Sequence, residues 1–399
     1  MKERISRVCQ GIAPSATLQL NAQVNEMRAQ GMDVIGLGAG EPDFATPAFI
    51  CQAAKKALDQ GETRYTAAAG TPRLRQAIGT DLQKRKGLAY AADQVIVSTG
   101  AKQALMNALA ALLNPGDEVL LPAPCWISYP EMIAMAGGRA VMIPATEAEG
   151  FIPAFPKICA AVTARTRAII INSPSNPTGA VWSREQLLAV GRLAVEKDFF
   201  IISDEIYDQL VYDGAQALSI ASLAPEIYDR TIVINGWSKT YAMTGWRLGY
   251  AAAPRDLAAA MGAYQSHFTG NANAMAQAAG LAALEGDQGC VREMAAAFAH
   301  RRDLMADLIG ELPYVSCFVP RGAFYILMNV QSLLGRSFQG EIIGDSGDLC
   351  RMLLRHALIA PVPGDPFGAP GYVRISFAIS EGRIMEAMHR LGAFLAQVK

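Results

Sequence analysis

The sequence predicts an α/β protein: a large domain with a mostly parallel central sheet sandwiched by helices, plus a smaller α+β domain. Three observations carry this. Short, continuously apolar runs alternate with helix-like stretches through the middle of the chain. Turn signals such as Asn114-Pro115-Gly116 punctuate them. The C-terminal third then changes character: residues 280–310 are rich in Ala, Met, Leu and paired charges, as in long helices.

Taken in order, residues 95–98 read as a strand, and 102–113 as the helix that Asn114-Pro115-Gly116 stops. Residues 118–121, 141–143, 168–171, 199–202, 231–234 and 248–252 read as further strands, with a helix over 184–195 among them. Continuous apolarity suits strands covered on both faces, and the alternation implies right-handed crossovers. Beyond the helical stretch come two strand-like runs, 323–328 and 372–378, with helical segments between and after them. The expected division is an N-terminal arm over 1–14, a small domain from 15–47 with 300–399, and a large domain over 48–299.

The 399 residues, 51% hydrophobic and 18% charged, can bury a sizeable core in two or three domains. A formal net charge of −1 argues against nucleic acid and anionic membrane as partners. No apolar run approaches the ~18 residues of a membrane span, and the N-terminus lacks the apolar core of a signal peptide. The seven cysteines show no CxxC spacing and the four histidines no HExxH, so neither a metal site nor a disulfide framework is expected. A soluble protein of the reducing cytoplasm fits best.

Four motifs carry chemistry. Gly236-Trp237-Ser238-Lys239 follows the 231–234 strand, and Arg247 comes eight residues after the lysine, within Gly245-Trp246-Arg247-Leu248-Gly249. A lysine there can form a Schiff base, and the arginine can hold a phosphate through two nitrogens; a plain surface Lys and Arg is the alternative. Asp204-Glu205-Ile206-Tyr207 follows the 199–202 strand, where α/β sheets bind ligands. A buried Asp204 needs a cation, such as a protonated pyridine nitrogen, and Tyr207 can donate to a phenolate; otherwise Asp204 caps a following helix. Asn176, in Asn172-Ser173-Pro174-Ser175-Asn176-Pro177-Thr178-Gly179, faces the same sheet edge unless the segment is merely a rigid turn. Ser98-Thr99-Gly100-Ala101-Lys102 is a strand-to-helix junction whose free N–H groups suit phosphate, though many crossovers look alike. Trp126 can stack on a flat ring, but an aromatic after a strand is more often core. Gly36-Leu37-Gly38-Ala39-Gly40 is a decoy for a dinucleotide fingerprint, because Glu41-Pro42-Asp43 follows it instead of a helix.

In order and spacing these motifs resemble the fold-type I, class I aminotransferases that depend on pyridoxal 5′-phosphate. The likeness covers nearly the whole chain. Ala39-Gly40-Glu41-Pro42-Asp43-Phe44 and Tyr65-Thr66-Ala67-Ala68-Ala69-Gly70 look like the family's N-terminal landmarks. Ser128-Tyr129-Pro130-Glu131-Met132 and Met243-Thr244-Gly245-Trp246-Arg247 are similar to the bacterial aspartate aminotransferase branch. The resemblance implies that Lys239 forms the Schiff base and moves the proton, while Asp204 pairs with the ring nitrogen. Tyr207 and Asn176 would bond the phenolic oxygen, and Trp126 would stack on the ring. Arg247, Ser238 and the Ala101 and Lys102 amides would hold the phosphate. Tyr65 would reach the phosphate of the other subunit, making a homodimer with sites at the interface. Arg374 would take the α-carboxylate beside Gly40, with Trp126 and Asn176 also lining the substrate. Lys102 would read a distal carboxylate, or only the phosphate. A lysine at a helix N-terminus opposes the dipole, which hints at such a use.

The activity so implied is transfer of the amino group of L-aspartate, or another L-amino acid, to 2-oxoglutarate by a ping-pong mechanism, with amino acids and 2-oxo acids as partners. Departures remain. Gly236 stands where some relatives place a phosphate-binding serine, and no arginine takes the place that binds the distal carboxylate in animal-type enzymes. Ala13 precedes Pro14, so no extra cation for prephenate is evident. Aromatic, alanine or prephenate aminotransferases and C–S lyases share the same cofactor residues. A cofactor-binding regulator would need room for a DNA-binding module, whereas the fold landmarks begin near residue 14.

Overall fold

The computed structural model describes residues 4–14 and 16–399, so part of the expected arm over 1–14, and residue 15, lie outside the described residues. All seven expected strands of the large sheet form. Their spatial order is Val95–Ser98, Gly249–Ala252, Thr231–Gly236, Phe200–Asp204, Thr166–Asn172, Glu118–Ala123 and Arg139–Pro144. Only Gly249–Ala252 runs antiparallel, to both of its neighbours; the other pairings are parallel. The inner strands are apolar on both faces because helices cover both. On one side Ile96, Ile170, Ile202 and Ile234 pack with Leu105 and Leu109 of the Ala101–Leu112 helix. On the other, Ile169, Ile171 and Ile201 pack with Leu187 and Val190 of the Arg184–Glu196 helix.

Register places the site. Asn172 lies opposite Asp204, and Asp204 opposite Ile234, so three neighbouring strands end at one level. Strand limits move where local geometry demands it. Phe199 was expected in a strand, but its N–H bonds Ala194 O to close the preceding helix, with Asp198 at φ 58, and the strand starts at Phe200. Similarly, the 323–328 run begins pairing only at Tyr325, since Ala323 sits at φ 58. The 280–310 stretch is divided between the helices Ala274–Glu285 and Gly289–Gly310.

A second core gathers the C-terminal third. Its four-stranded antiparallel sheet runs Val362–Pro363, Tyr372–Ser376, Tyr325–Asn329, Ser316–Cys317. Phe298 and Met305 of Gly289–Gly310 and Leu391 and Phe394 of the Glu381–Leu395 helix share that core. The N-terminal segment joins it: Ile35–Gly36 pairs in parallel with Ile359–Ala360, and Ile35 and Leu37 are buried there. The Gly289–Gly310 helix runs unbroken across position 300, where the sequence places the limit between the large and small domains. No helix among the described residues is long and apolar enough to cross a membrane.

Candidate active site

A cavity of about 350 Å³ opens where the sheet's carboxyl edge meets the second core. Nearly every residue singled out from the sequence lines it: Gly40, Ala101, Lys102, Trp126, Asn176, Asp204, Tyr207, Ser238, Lys239, Arg247 and Arg374. Tyr65 does not. It is 98% exposed and borders a separate hollow with Lys56 and Arg73.

Asp204 ends its strand on the cavity floor, 6% exposed. Its Oδ2 accepts from the Tyr129 hydroxyl at 2.7 Å and its Oδ1 from the Ile206 N–H at 3.3 Å. No helix follows it, so the capping alternative falls away. Burial is the main reason its pKa rises to about 6, against the Tyr129 and Ile206 bonds that favour the carboxylate. Among the described residues no Lys, Arg or His pairs with it. A buried carboxyl of this kind is matched to a cationic ligand atom such as a protonated ring nitrogen.

Lys239 sits just past the Thr231–Gly236 strand, in the turn that returns the chain to Gly249–Ala252. Its Nζ donates to the Gly40 carbonyl. Burial, with Arg247 and Arg374 nearby, lowers its pKa to about 8, so a minor but far larger share of the amine than in a free lysine is neutral and nucleophilic near physiological pH.

Close backbone approach builds a cradle for an anion. The Ala101–Leu112 helix starts after Gly100, at φ 84, and its first N–H groups have no partner within the helix. A Cβ on Gly100 would stand 2.6 Å from Arg247 Nη2, and one on Gly249 would stand 2.2 Å from the Ala101 nitrogen. Glycine at both positions lets strand, helix start and guanidinium converge. Gly236 has the same explanation: a Cβ there would meet Gly249 Cα and the Leu248 carbonyl, each at 2.9 Å, so serine does not fit. Ser238, 7% exposed, lines the cavity in its stead.

Arg374 comes from the middle of the small sheet, paired with Leu327 and Val362. It is 2% exposed and has no carboxylate partner among the described residues. Nη1 donates to Asn176 Oδ1 and Nη2 to the Gly38 carbonyl, both at 3.0 Å, while buried Nε has no partner. The Tyr325 and Phe367 rings lie 4.5 and 4.8 Å from its guanidinium. A guanidinium so prepared fits a carboxylate. Asn176 is itself held by its N–H to Asn172 Oδ1 at 2.8 Å.

Two partners were missed from the sequence. Tyr129 fixes Asp204, and Tyr325 bonds the Tyr207 hydroxyl at 3.1 Å and faces Arg374. Tyr129 lies within the family-like segment 128–132, but nothing local ties it to Asp204, 75 positions on. On the opposite wall the Lys102 Nζ lies 4.7 Å over the Trp126 ring, and Trp126 meets Tyr129 edge-on.

Comparison with known proteins agrees with this geometry. A family model for aminotransferases of class I and II matches residues 32–391. The chain belongs to this family. An aspartate aminotransferase of Streptomyces avermitilis is 43% identical over 399 residues, covering 100% of this chain and 98% of the relative. An aspartate/prephenate aminotransferase of Cereibacter sphaeroides is 44% identical over 387 residues, covering 96% and 97%. The solved structure of Thermus thermophilus aspartate aminotransferase with maleate superposes with a TM-score of 0.93 at 41% identity, covering 98% of this chain and 100% of that one. This aminotransferase has the fold-type I architecture throughout.

Proposed function

We propose that this aminotransferase carries pyridoxal 5′-phosphate on Lys239 and moves the amino group of L-aspartate or L-glutamate to a 2-oxo acid such as 2-oxoglutarate. The charge balance of the cavity carries the reading. Four cations line it, Lys102, Lys239, Arg247 and Arg374, and Asp204 is the one carboxylate among its described lining residues. None of the four has an ion-pair partner among the described residues. A phosphate, an α-carboxylate and a distal carboxylate supply the missing anions, and a protonated ring nitrogen supplies Asp204's cation.

Each role follows from position. Arg247, Ser238 and the Ala101 and Lys102 amides hold the phosphate. Asp204 keeps the ring nitrogen protonated, and Tyr207 donates to the phenolic oxygen. Asn176 spends its Oδ1 on Arg374 and leaves its amide N–H for the same oxygen. Trp126 covers a ring face. When bound, the cofactor supplies an electron sink for the substrate carbon bearing nitrogen. Lys239 Nζ moves the proton between the substrate Cα and the cofactor's C4′, and Arg374, beside Gly40, orients the α-carboxylate. Lys102 is left for the distal carboxylate. Names of relatives support a dicarboxylic donor, and the Thermus relative was solved with maleate, a four-carbon dicarboxylate. Among the described residues lining the cavity no fifth cation is present for prephenate, and the Ala13 N–H faces the Glu131 carboxylate at 3.4 Å.

Tyr65, exposed on its own subunit, reaches the phosphate of a second copy in this reading, so the enzyme is a homodimer with interfacial sites. In this reading the arm covers 1–14, the small domain 15–47 with 300–399 and the large domain 48–299, the last limit falling inside the Gly289–Gly310 helix that both share, and the cytoplasm is the compartment.

The test is an absorbance titration of cofactor-loaded protein. Aspartate should convert the aldehyde form to the amine form, and 2-oxoglutarate should reverse it. Lys102→Met should lower kcat/KM for aspartate roughly ten- to a hundredfold, as for loss of a charged hydrogen bond of ~1.5–3 kcal/mol, while sparing phenylalanine. Equal losses for both donors would assign Lys102 to the cofactor instead.

A further inference from the structure

Behind the Asp204–Tyr207 turn, on the side away from the cavity, lies a cluster of charges that the chemistry above does not use. Glu205 and Asp208 are 2% and 8% exposed. Lys86, the last residue of the Pro72–Lys86 helix, places its Nζ between them. It ion-pairs with Glu205 and stands 2.5 Å from Asp208 Oδ2. Arg85 reaches Asp208 Oδ2 at 3.0 Å and Asp81 at 2.6 Å. The Ser203 and Ser219 hydroxyls donate to Glu205 Oε1 at 2.8 and 2.6 Å, and Asn235 Nδ2 donates to Asp208 Oδ2 at 3.1 Å.

Buried ion pairs add little net stability, because desolvation offsets their attraction. Their geometry is more informative. The chain after Asp204 is a series of turns, with Asp208 N–H to Glu205 O at 3.0 Å and Leu210 N–H to Tyr207 O at 2.8 Å, not a helix with its own ladder. Residues 204 and 207 face the cavity, whereas 205 and 208 face Lys86. One ammonium therefore grips both rear side chains of a turn whose front side chains do the chemistry. Asn235 continues the tie to the strand that delivers Lys239.

We propose that Lys86 is a positioning residue for the reaction: by tying Glu205 to Asp208 it sets where Asp204 and Tyr207 meet the cofactor ring. The inference rests on the reading that these two residues contact that ring. The test combines Lys86→Met with Glu205→Gln. This removes a charge pair, leaves Asp208 with Arg85, and keeps an amide oxygen for the two serines. We expect kcat for aspartate to fall roughly tenfold or more, since a ~1 Å misplacement can cost ~100-fold, with KM changed by less than about threefold. The pH titration of the visible absorbance of the lysine-bound cofactor should also move, by about half a unit or more, as Tyr207 and Asp204 shift against the ring. Asp208→Asn, which keeps the Lys86–Glu205 pair, should shift both readouts less and in the same direction. It decides the matter if the double variant does not fold. A lowered melting temperature with kcat and the absorbance titration unchanged would overturn the proposal and leave Lys86 as scaffold. A wild-type protein that binds the cofactor without transaminating aspartate would refute the proposed donor instead. The absorbance titration would still decide the role of Lys86.

Discussion

At the scale of single residues, burial moves the two central groups part of the way toward their neutral forms, the Asp204 carboxyl up to about 6 and the Lys239 amine down to about 8. Asp204 shows the cost. Its carboxyl titrates at 3.8 unfolded and about 6 folded, chiefly through burial, with Glu205 adding and Tyr129, Ile206 N–H and Lys239 opposing. Between these values the folded state holds the extra proton. Stability of the cofactor-free protein therefore falls as pH rises through that window, and the penalty, about 3 kcal/mol at ~1.36 kcal/mol per unit, is full above about 6. Asp204→Asn should flatten the dependence of melting temperature between pH 4 and 6 and raise it at pH 7, while weakening transamination severely. A cofactor-free variant no more stable than wild type at pH 7 would contradict this. Lys239 shifts the other way. With its pKa near 8 instead of 10.5, attachment of the cofactor aldehyde should speed up with pH and level off just above 8. A rate still climbing tenfold per unit at pH 9.5 in stopped-flow absorbance would show an unperturbed amine.

At the scale of elements, the anion cradle proposed to hold the phosphate depends on what glycine leaves out. Gly249 lets the antiparallel strand lie against the start of the Ala101–Leu112 helix, where an added Cβ meets backbone that cannot swing aside. Gly249→Ala should destabilise the fold by about 1–3 kcal/mol, as overpacking does, and weaken cofactor binding more than tenfold. Equilibrium dialysis of the folded variant reads the second effect. The strands of the large sheet were legible because continuous apolar runs, bounded by turn residues, leave few other structures open. Lys239, Asp204 and Asn176 were legible because each stands a few residues past such a run, and Arg247 because it lies eight residues after Lys239 between flanking glycines. Tyr325 was not, for its tie to Tyr207 spans 118 positions and its run reads as plain core. The Lys86 cluster was hidden for the same reason: Lys86 ends a helix in a charged stretch, Lys84, Arg85 and Lys86, that reads as a solvated face.

At the scale of the whole molecule, the two cores meet across the cavity, and the large sheet brings the proposed cofactor residues to Arg374 of the small one. Arg374 bonds Asn176 and Gly38 directly, so the arginine proposed to hold the substrate carboxylate is seated only when both parts are in place. The proposed homodimer rests on Tyr65, which is exposed on its own subunit, and mixing variants tests it. Tyr65→Phe and Lys239→Ala damage complementary halves of one site, so heterodimers formed from the two should regain one intact site and show activity above either parent. No recovery, or an active monomer in sedimentation at micromolar concentration, would remove Tyr65 from the site. The central claim is that Lys239 holds the cofactor covalently. Borohydride reduction of the loaded protein, followed by peptide mapping, should leave the pyridoxyl group on Lys239 alone; a label on Lys102 or any other lysine would contradict the account.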